Sequence, residues 1–208
     1  MNARTTPRPW SAVYGREAPG GGPGPVRIDV APVDIERHGA LIHGWMNRPH
    51  VAPWWELDKP LEDVCAYLDG LTHLQPWVVS ADGEPFGYVE TYRVGEDALA
   101  AYYPVRPTDV GWHLLVGPER FLGSGIPRLL GRAFLAFQLG LPTAKTGDDA
   151  RPHRGDRVVC EPDIRNTRMH AFCRSLGFHS IGEVDLPDKR ALLMVCARED
   201  AVRHGARP

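Results

Sequence analysis

No apolar run in this 208-residue chain approaches the length that crosses a bilayer, and the polar, proline-rich start has no signal-peptide core. A cytoplasmic protein without a membrane partner is therefore expected. Charge of one sign is also missing: 24 Lys and Arg against 26 Asp and Glu leave a net charge of -2, far from the basic balance of a nucleic-acid binder. Cysteine is scarce. Cys65, Cys160, Cys173 and Cys196 show no metal-ligand spacing and sit among apolar neighbours, as small buried hydrophobes in a reducing compartment do. The nine histidines form no HExxH motif and no tight cluster with cysteine, so no metal is expected.

What is present suits one soluble domain with slack at both ends: 43% hydrophobic and 24% charged residues. Residues 1–25, ending in PGGGPGP, are dense in proline and glycine and lack periodicity, which predicts a disordered leader that stability does not need. The polar stretch 142–156, PTAKTGDDARPHRGD, reads as a flexible surface insertion within a domain spanning 26–200, followed by a short tail at 201–208.

Inside the domain the patterning changes type repeatedly. Short alternating runs predict strands at 26–30, 77–80, 85–94, 109–117, 157–161, 179–185 and 190–197, with Ala81-Asp82-Gly83-Glu84 as a turn. Helical spacing predicts helices at 34–46, 61–71, from Ile126 to Phe137 and from Asn166 to Leu176, with Gly177 closing the last. The sum is a mixed α/β layer fold.

The most informative segment is LLVGPERFLGSGIPRLL at 114–130. A strand runs through Arg120, Phe121, Leu122, Gly123, Ser124 and Gly125 into an amphipathic helix. Two glycines one residue apart let the backbone approach a ligand, and the first-turn N–H groups then face it with the positive end of the helix dipole behind them. Pro127 supports that register. An anion fits there, and a pyrophosphate in particular. No Gly-Lys-Ser/Thr follows, and the GxGxxG spacing of a dinucleotide fold is absent.

Residues 120–125 resemble the R/Q-x-x-G-x-G/A signature of GNAT acyltransferases, and 166–178, ending in LGF, resembles the helix and strand that flank the pantetheine arm in that family. The resemblance implies a GNAT fold, a mostly antiparallel sheet flanked by helices whose splayed strands form the acyl-CoA cleft. It implies an N-acyltransferase with acyl-CoA (acetyl-CoA or longer) as co-substrate. Acyl-CoA would lie along Leu115, Val116, Arg120, Leu122, Gly123, Ser124, Gly125, Ile126 and Asn166.

A narrower resemblance, carried by HGWMNRPHVAPWW, FGYVETY, YYPVRPTDVGWHLLVG and CEPDIRNTRMHAFCRSLGF, is to the siderophore-biosynthesis branch. Its members acylate lysine, hydroxylysine or related diamines. That branch's proposed catalytic pair falls on His113 and Asp163. On the residues alone, strand alternation sets His113 opposite the apolar face of Val110, Trp112, Leu114 and Val116, and a base near neutral pH is what an amine acceptor needs. The plainer alternatives are a hydrogen-bonded core histidine and an aspartate that caps the next helix. Phe172 stands where many GNAT members have a tyrosine that protonates the departing thiolate, so the source of that proton is open.

His43, Asn47, Trp54 and Trp55 lie in a segment that reads either as one wall of the acceptor or acyl pocket or as a packed hinge of core tryptophans. Glu90, inside an apolar-alternating strand, either meets the substrate ammonium or points to solvent. The leading function is N-acylation of the amine or N-hydroxyamine of a lysine-like or diamine substrate by a monomer or homodimer. The alternatives are a GNAT enzyme for an antibiotic or a protein N-terminus, and a silent acyl-CoA-binding domain.

Overall fold

Alternating burial builds the sheet. The structure, a computed structural model, describes residues 7–15, 24–141 and 154–206. In β2 (Val26–Pro32), Val26, Ile28 and Val30 enter the core while Arg27 between them faces out. β3 (Gln75–Ala81) and β4 (Glu84–Arg93) form a hairpin closed by Asp82 and Gly83, both at positive φ (49° and 85°), the turn geometry that matches the twist of paired strands. β5 (Asp109–Val116), β6 (Arg157–Cys160), β7 (His179–Asp185) and β8 (Arg190–Ala197) complete the sheet together with β1 (Trp10–Tyr14). The order is β1-β2-β3-β4-β5-β6-β8-β7, antiparallel except between β5 and β6.

Helices cover both faces. α1 (Ile35–Met46) starts at Asp34, whose carboxylate accepts from the Arg37 N–H, and packs with α3 (Leu61–Gly70) over Val78, Tyr88 and Leu115. The single turn α2 (Ala52–Trp55) lies between them in sequence. On the other face α4 (Ile126–Gln138) buries Leu130, Phe134 and Phe137 against Trp77, Val110 and Trp112, and α5 (Thr167–Ser175) adds Cys173 to the same core. β5 divides its side chains as alternation requires: Val110, Trp112, Leu114 and Val116 on the α4 face, Leu115 on the other.

β5 and β6 run side by side only briefly. Asp109, Val110 and Gly111 pair with Arg157, Val158 and Val159, and beyond them the strands separate. A bidentate ion pair holds the shared end, with Arg157 Nε and Nη2 at 2.6 and 2.8 Å from the buried Asp109 carboxylate. Tyr103 Oη and the Arg106 N–H donate to that carboxylate as well.

Two expectations at the chain ends need correction. The stretch 1–25 contains β1, which pairs antiparallel with β2 and buries Trp10, Ala12 and Tyr14. Trp10 stacks on Phe137 with ring centroids 4.7 Å apart. Five residues of alternation were hidden between proline- and glycine-rich flanks. The tail at 201–208 begins inside α6 (Arg198–Arg203), and both Ala201 and Ala206 are buried. Most of the expected insertion at 142–156 lies outside the described residues; its end does not, since the Gly155 and Asp156 amides donate to Gln138 and Thr108 carbonyls.

Because Trp10 is a fully packed core aromatic, Trp10→Ala is expected to cost about 3–5 kcal/mol of unfolding free energy in denaturant titrations. An unchanged midpoint would show that β1 does not contribute to the domain's stability.

Candidate active site

The separation of β5 and β6 opens a cleft of about 1040 Å³. Trp112, Leu114, Leu115 and Val116 of β5 form its floor, Trp54 and Trp55 stand on one side, and Met169 and Phe172 of α5 on the other. A charged string crosses it. Glu90 and His113 are direct cross-strand partners in β4 and β5, and His113 Nδ1 lies 2.9 Å from Glu90 Oε2. The other ring nitrogen, Nε2, lies 3.0 Å from Oε1 of Glu161, the residue after β6.

Each carboxylate has further donors. Glu90 has no solvent exposure, and its Oε1 accepts from Tyr67 Oη and Tyr88 Oη, both at 2.7 Å. Glu161 accepts from Tyr92 Oη at 3.2 Å and has Lys189 Nζ at 3.5 Å. The Tyr92 ring fits because position 111 is glycine: a Cβ there would come within 2.2 Å of it. The Trp55 and His113 rings lie nearly perpendicular, with centroids 6.3 Å apart.

The electrostatics follow from this crowding. Burial works against a charged imidazole, but the carboxylates of Glu161 and Glu90 more than reverse it and hold His113 at about 10. Burial likewise disfavours an ionised Glu161, and the imidazolium, Lys189 and Tyr92 outweigh that, holding it at about 2. Burial and then the neighbouring carboxylate push the phenols of Tyr67, Tyr88 and Tyr92 up, so they remain donors. At neutral pH these shifts set an imidazolium at His113 against an ionised carboxylate at Glu161.

Asp163 is not part of it. Its carboxylate accepts from the Arg165 N–H and from Arg165 Nε and Nη2, at 2.8, 2.9 and 2.6 Å, and it sits on the cleft wall. Nor does it cap α5; Asn166 does that, accepting from the Met169 N–H. Glu90 does not point to solvent. Trp54 and Trp55 line the cleft, whereas His43 and Asn47 do not: Asn47 Nδ2 donates to the His43 carbonyl and closes the C-terminal end of α1. Glu161 was missed, although alternation marks it. Val158 and Cys160 face α4 and α5, so Val159 and Glu161 face the same way as His113.

At the far end of the cleft, the loop from Glu119 to Gly125 is wound for a ligand. The Leu122 and Ser124 amides turn back onto the Glu119 and Phe121 carbonyls, and Gly123 and Gly125 take left-handed φ values of 76° and 83°. Among the described residues the amides of those two glycines have no protein acceptor. Gly125 is the N-cap of α4 and Pro127 lies in its first turn. Nothing lies within 4 Å of where a Gly123 Cβ would be, so the loop leaves room there for a phosphate group. Arg120 is exposed, paired with Glu84 and stacked on Phe121. Leu122 and Gly123 line the cleft, as does Asn166 across from them.

Residues 34–186 match the family model described as the acetyltransferase (GNAT) domain. The chain belongs to the GNAT acetyltransferase family. It is accordingly an acyl-CoA-dependent acyltransferase. Among characterised relatives, an N-hydroxyputrescine acetyltransferase of Acinetobacter baumannii is 30% identical over 179 residues, covering 84% of this chain and 77% of the relative. A lysine N-acyltransferase (MbtK) of Mycobacterium sp. strain MCS is 30% identical over 176 residues, covering 83% and 68%. The solved structure of an uncharacterised protein from Bacillus halodurans superposes with a TM-score of 0.80 at 31% identity, covering 96% of this chain and 95% of that one.

Gly123→Ala tests the loop. The added methyl meets no protein atom, and a left-handed alanine costs about 1–2 kcal/mol, so the variant should fold. Its affinity for CoA by calorimetry should fall by about tenfold or more as the methyl enters the phosphate's space. Unchanged affinity in the folded variant would remove the loop from the CoA site.

Proposed function

We propose that the protein transfers an acyl group from acyl-CoA to the amine or N-hydroxyamine of a lysine-like or diamine acceptor, as a step of siderophore assembly in the cytoplasm. The observation that carries this reading is the Glu90–His113–Glu161 string at the mouth of the splay, in a chain about 30% identical both to a lysine acyltransferase and to an N-hydroxydiamine acetyltransferase. A silent binding domain has no use for two buried glutamates held on either side of a cleft-lining histidine.

In this reading the amides of Gly123 and Gly125, with Leu122, Ser124, Ile126 and Arg120 around them, hold the pyrophosphate. The pantetheine arm runs along Leu115 and Val116 toward Asn166, and the thioester lies where β5 and β6 part. The methylene chain of the acceptor passes between Trp54 and Trp55, whose apolar faces suit it. Nitrogen gains positive charge as it attacks the thioester carbonyl. Glu161, kept ionised by His113, is the group positioned to stabilise that charge. His113 is then a positioning residue, and its partner is Glu161 rather than Asp163. Asp163 and Arg165 form an ion pair on the wall, where they shape the entry of the acceptor.

The test is release of free CoA from acetyl-CoA on adding lysine, ornithine, cadaverine or their N-hydroxy forms. His113→Ala and Glu161→Gln should each lower kcat by on the order of a hundredfold in variants that still bind CoA, and the double variant should be scarcely worse than the poorer single. Asp163→Asn should stay within about tenfold of the parent. Multiplying losses for His113 and Glu161 would mean that they act separately, and full activity of Glu161→Gln would remove it from the reaction.

A further inference from the structure

We propose that Lys189 is a site of self-acylation: when no acceptor is present, its ε-amine takes the acyl group from bound acyl-CoA. This rests on the reading above that the thioester lies where β5 and β6 part. The observation behind it is an amine of the protein's own, already standing at the carboxylate assigned to the attacking nitrogen.

Lysine is rare in this chain: Lys59, Lys145 and Lys189 are the three among 24 Lys and Arg residues. Lys189 lines the cleft and Lys59 does not. The Lys189 Nζ lies 3.5 Å from Glu161 Oε1, the same oxygen that faces His113 Nε2. It therefore offers Glu161 what a lysine-like acceptor would offer, a primary ammonium on a flexible four-carbon stem. An arginine would pair with that carboxylate through more donors, yet it keeps its proton and takes no acyl group.

Backbone pairing brings Lys189 there. The Leu186 N–H donates to the Lys189 carbonyl at 2.8 Å and closes the turn between β7 and β8. The Ile164 and Leu192 amides donate to the Arg190 and Pro162 carbonyls, both at 2.9 Å, and stitch the segment after Glu161 to the start of β8. The Lys189 side chain reaches along that contact to Glu161. At 3.5 Å the two form an ion pair rather than a tight hydrogen bond, and the lysine side chain is 24% exposed. The amine is held near the splay without being locked in place.

A second nucleophile on the same wall is Cys160, the first residue of β6 beyond its last pair with β5. Burial and the neighbouring Cys173, 3.7 Å away, push its thiol up, and the protonated form is a poor nucleophile.

The step balances with acyl-CoA and solvent alone. The Lys189 ammonium gives one proton to the water that reaches its side chain. The nitrogen lone pair forms the C–N bond to the acyl carbon, and the C–S bond breaks with its electron pair leaving on sulfur. The second proton that nitrogen loses ends on that sulfur. The products are an Nε-acyl lysine and free CoA thiol. The amide is neutral, so Glu161 loses that cation, and an acceptor that reaches Glu161 first keeps Lys189 unmodified.

The test incubates the full chain with acetyl-CoA and no acceptor, then follows intact mass and maps the peptides. One acetyl group should accumulate at Lys189, at least about a hundredfold faster than at Lys59, because Lys189 is held beside the bound thioester. Excess desthio-CoA should stop it, and the group should survive neutral hydroxylamine, as an amide does and a cysteine thioester does not. Lys189→Arg, which keeps a cation beside Glu161, should fold, bind acetyl-CoA and gain no fast acetyl group. Equal labelling of Lys59 and Lys189, untouched by desthio-CoA, would overturn the inference, and so would a hydroxylamine-labile group. If added lysine, cadaverine or their N-hydroxy forms are acetylated while Lys189 stays unmodified without them, the inference fails and the acceptor reading stands. Labelling of Lys189 with none of those amines consumed would uphold the inference and sink that reading.

Discussion

His113 stands between Glu90 and Glu161, within hydrogen-bond reach of both. Burial alone would push the Glu161 carboxyl up and the His113 imidazole down, and the pairing of the two reverses both shifts. Three phenols supply further donors to the two glutamates. Removing one member of such a buried set typically costs about 3–5 kcal/mol, because the remaining charge is left unpaired. The string is therefore part of what holds β4, β5 and the end of β6 in place.

Its geometry is inherited from backbone register. The antiparallel pairing of β4 with β5 sets Glu90 opposite His113, and the absence of a side chain at Gly111 lets Tyr92 reach Glu161. The Asp109–Arg157 pair locks the short parallel contact of β5 with β6, and the strands diverge from that clamp. Divergence makes the cleft. Beyond the last residues of β5 the chain winds through two left-handed glycines into α4, so one strand presents His113 near its middle and the glycine loop at its end.

Local signals were read well from residues alone. The GxG loop before an amphipathic helix, Asn166 as a helix start, Gly177 as its close and the two-residue turn at Asp82 and Gly83 all involve neighbours in sequence, where backbone preference decides. His113 opposite an apolar strand face was legible for the same reason. What failed depended on distant partners. β1 is five residues long and gains its place from β2 and from Phe137, which no local window shows. Glu90 reads equally as a contact for the substrate ammonium or as solvent-facing until Tyr67, more than twenty positions earlier, is found to cover it. Asp163 lies only two residues from Glu161, and choosing between them needed the direction in which each side chain leaves the end of β6.

Nitrogen-15 NMR of the His113 ring measures the central claim most directly. If His113 is an imidazolium between two carboxylates, both ring nitrogens carry protons and neither resonance titrates between about pH 5 and about pH 8, with deprotonation only near about pH 10. A neutral tautomer at neutral pH, with one unprotonated nitrogen and a midpoint near about 6.5, would contradict the account and restore His113 as an ordinary base.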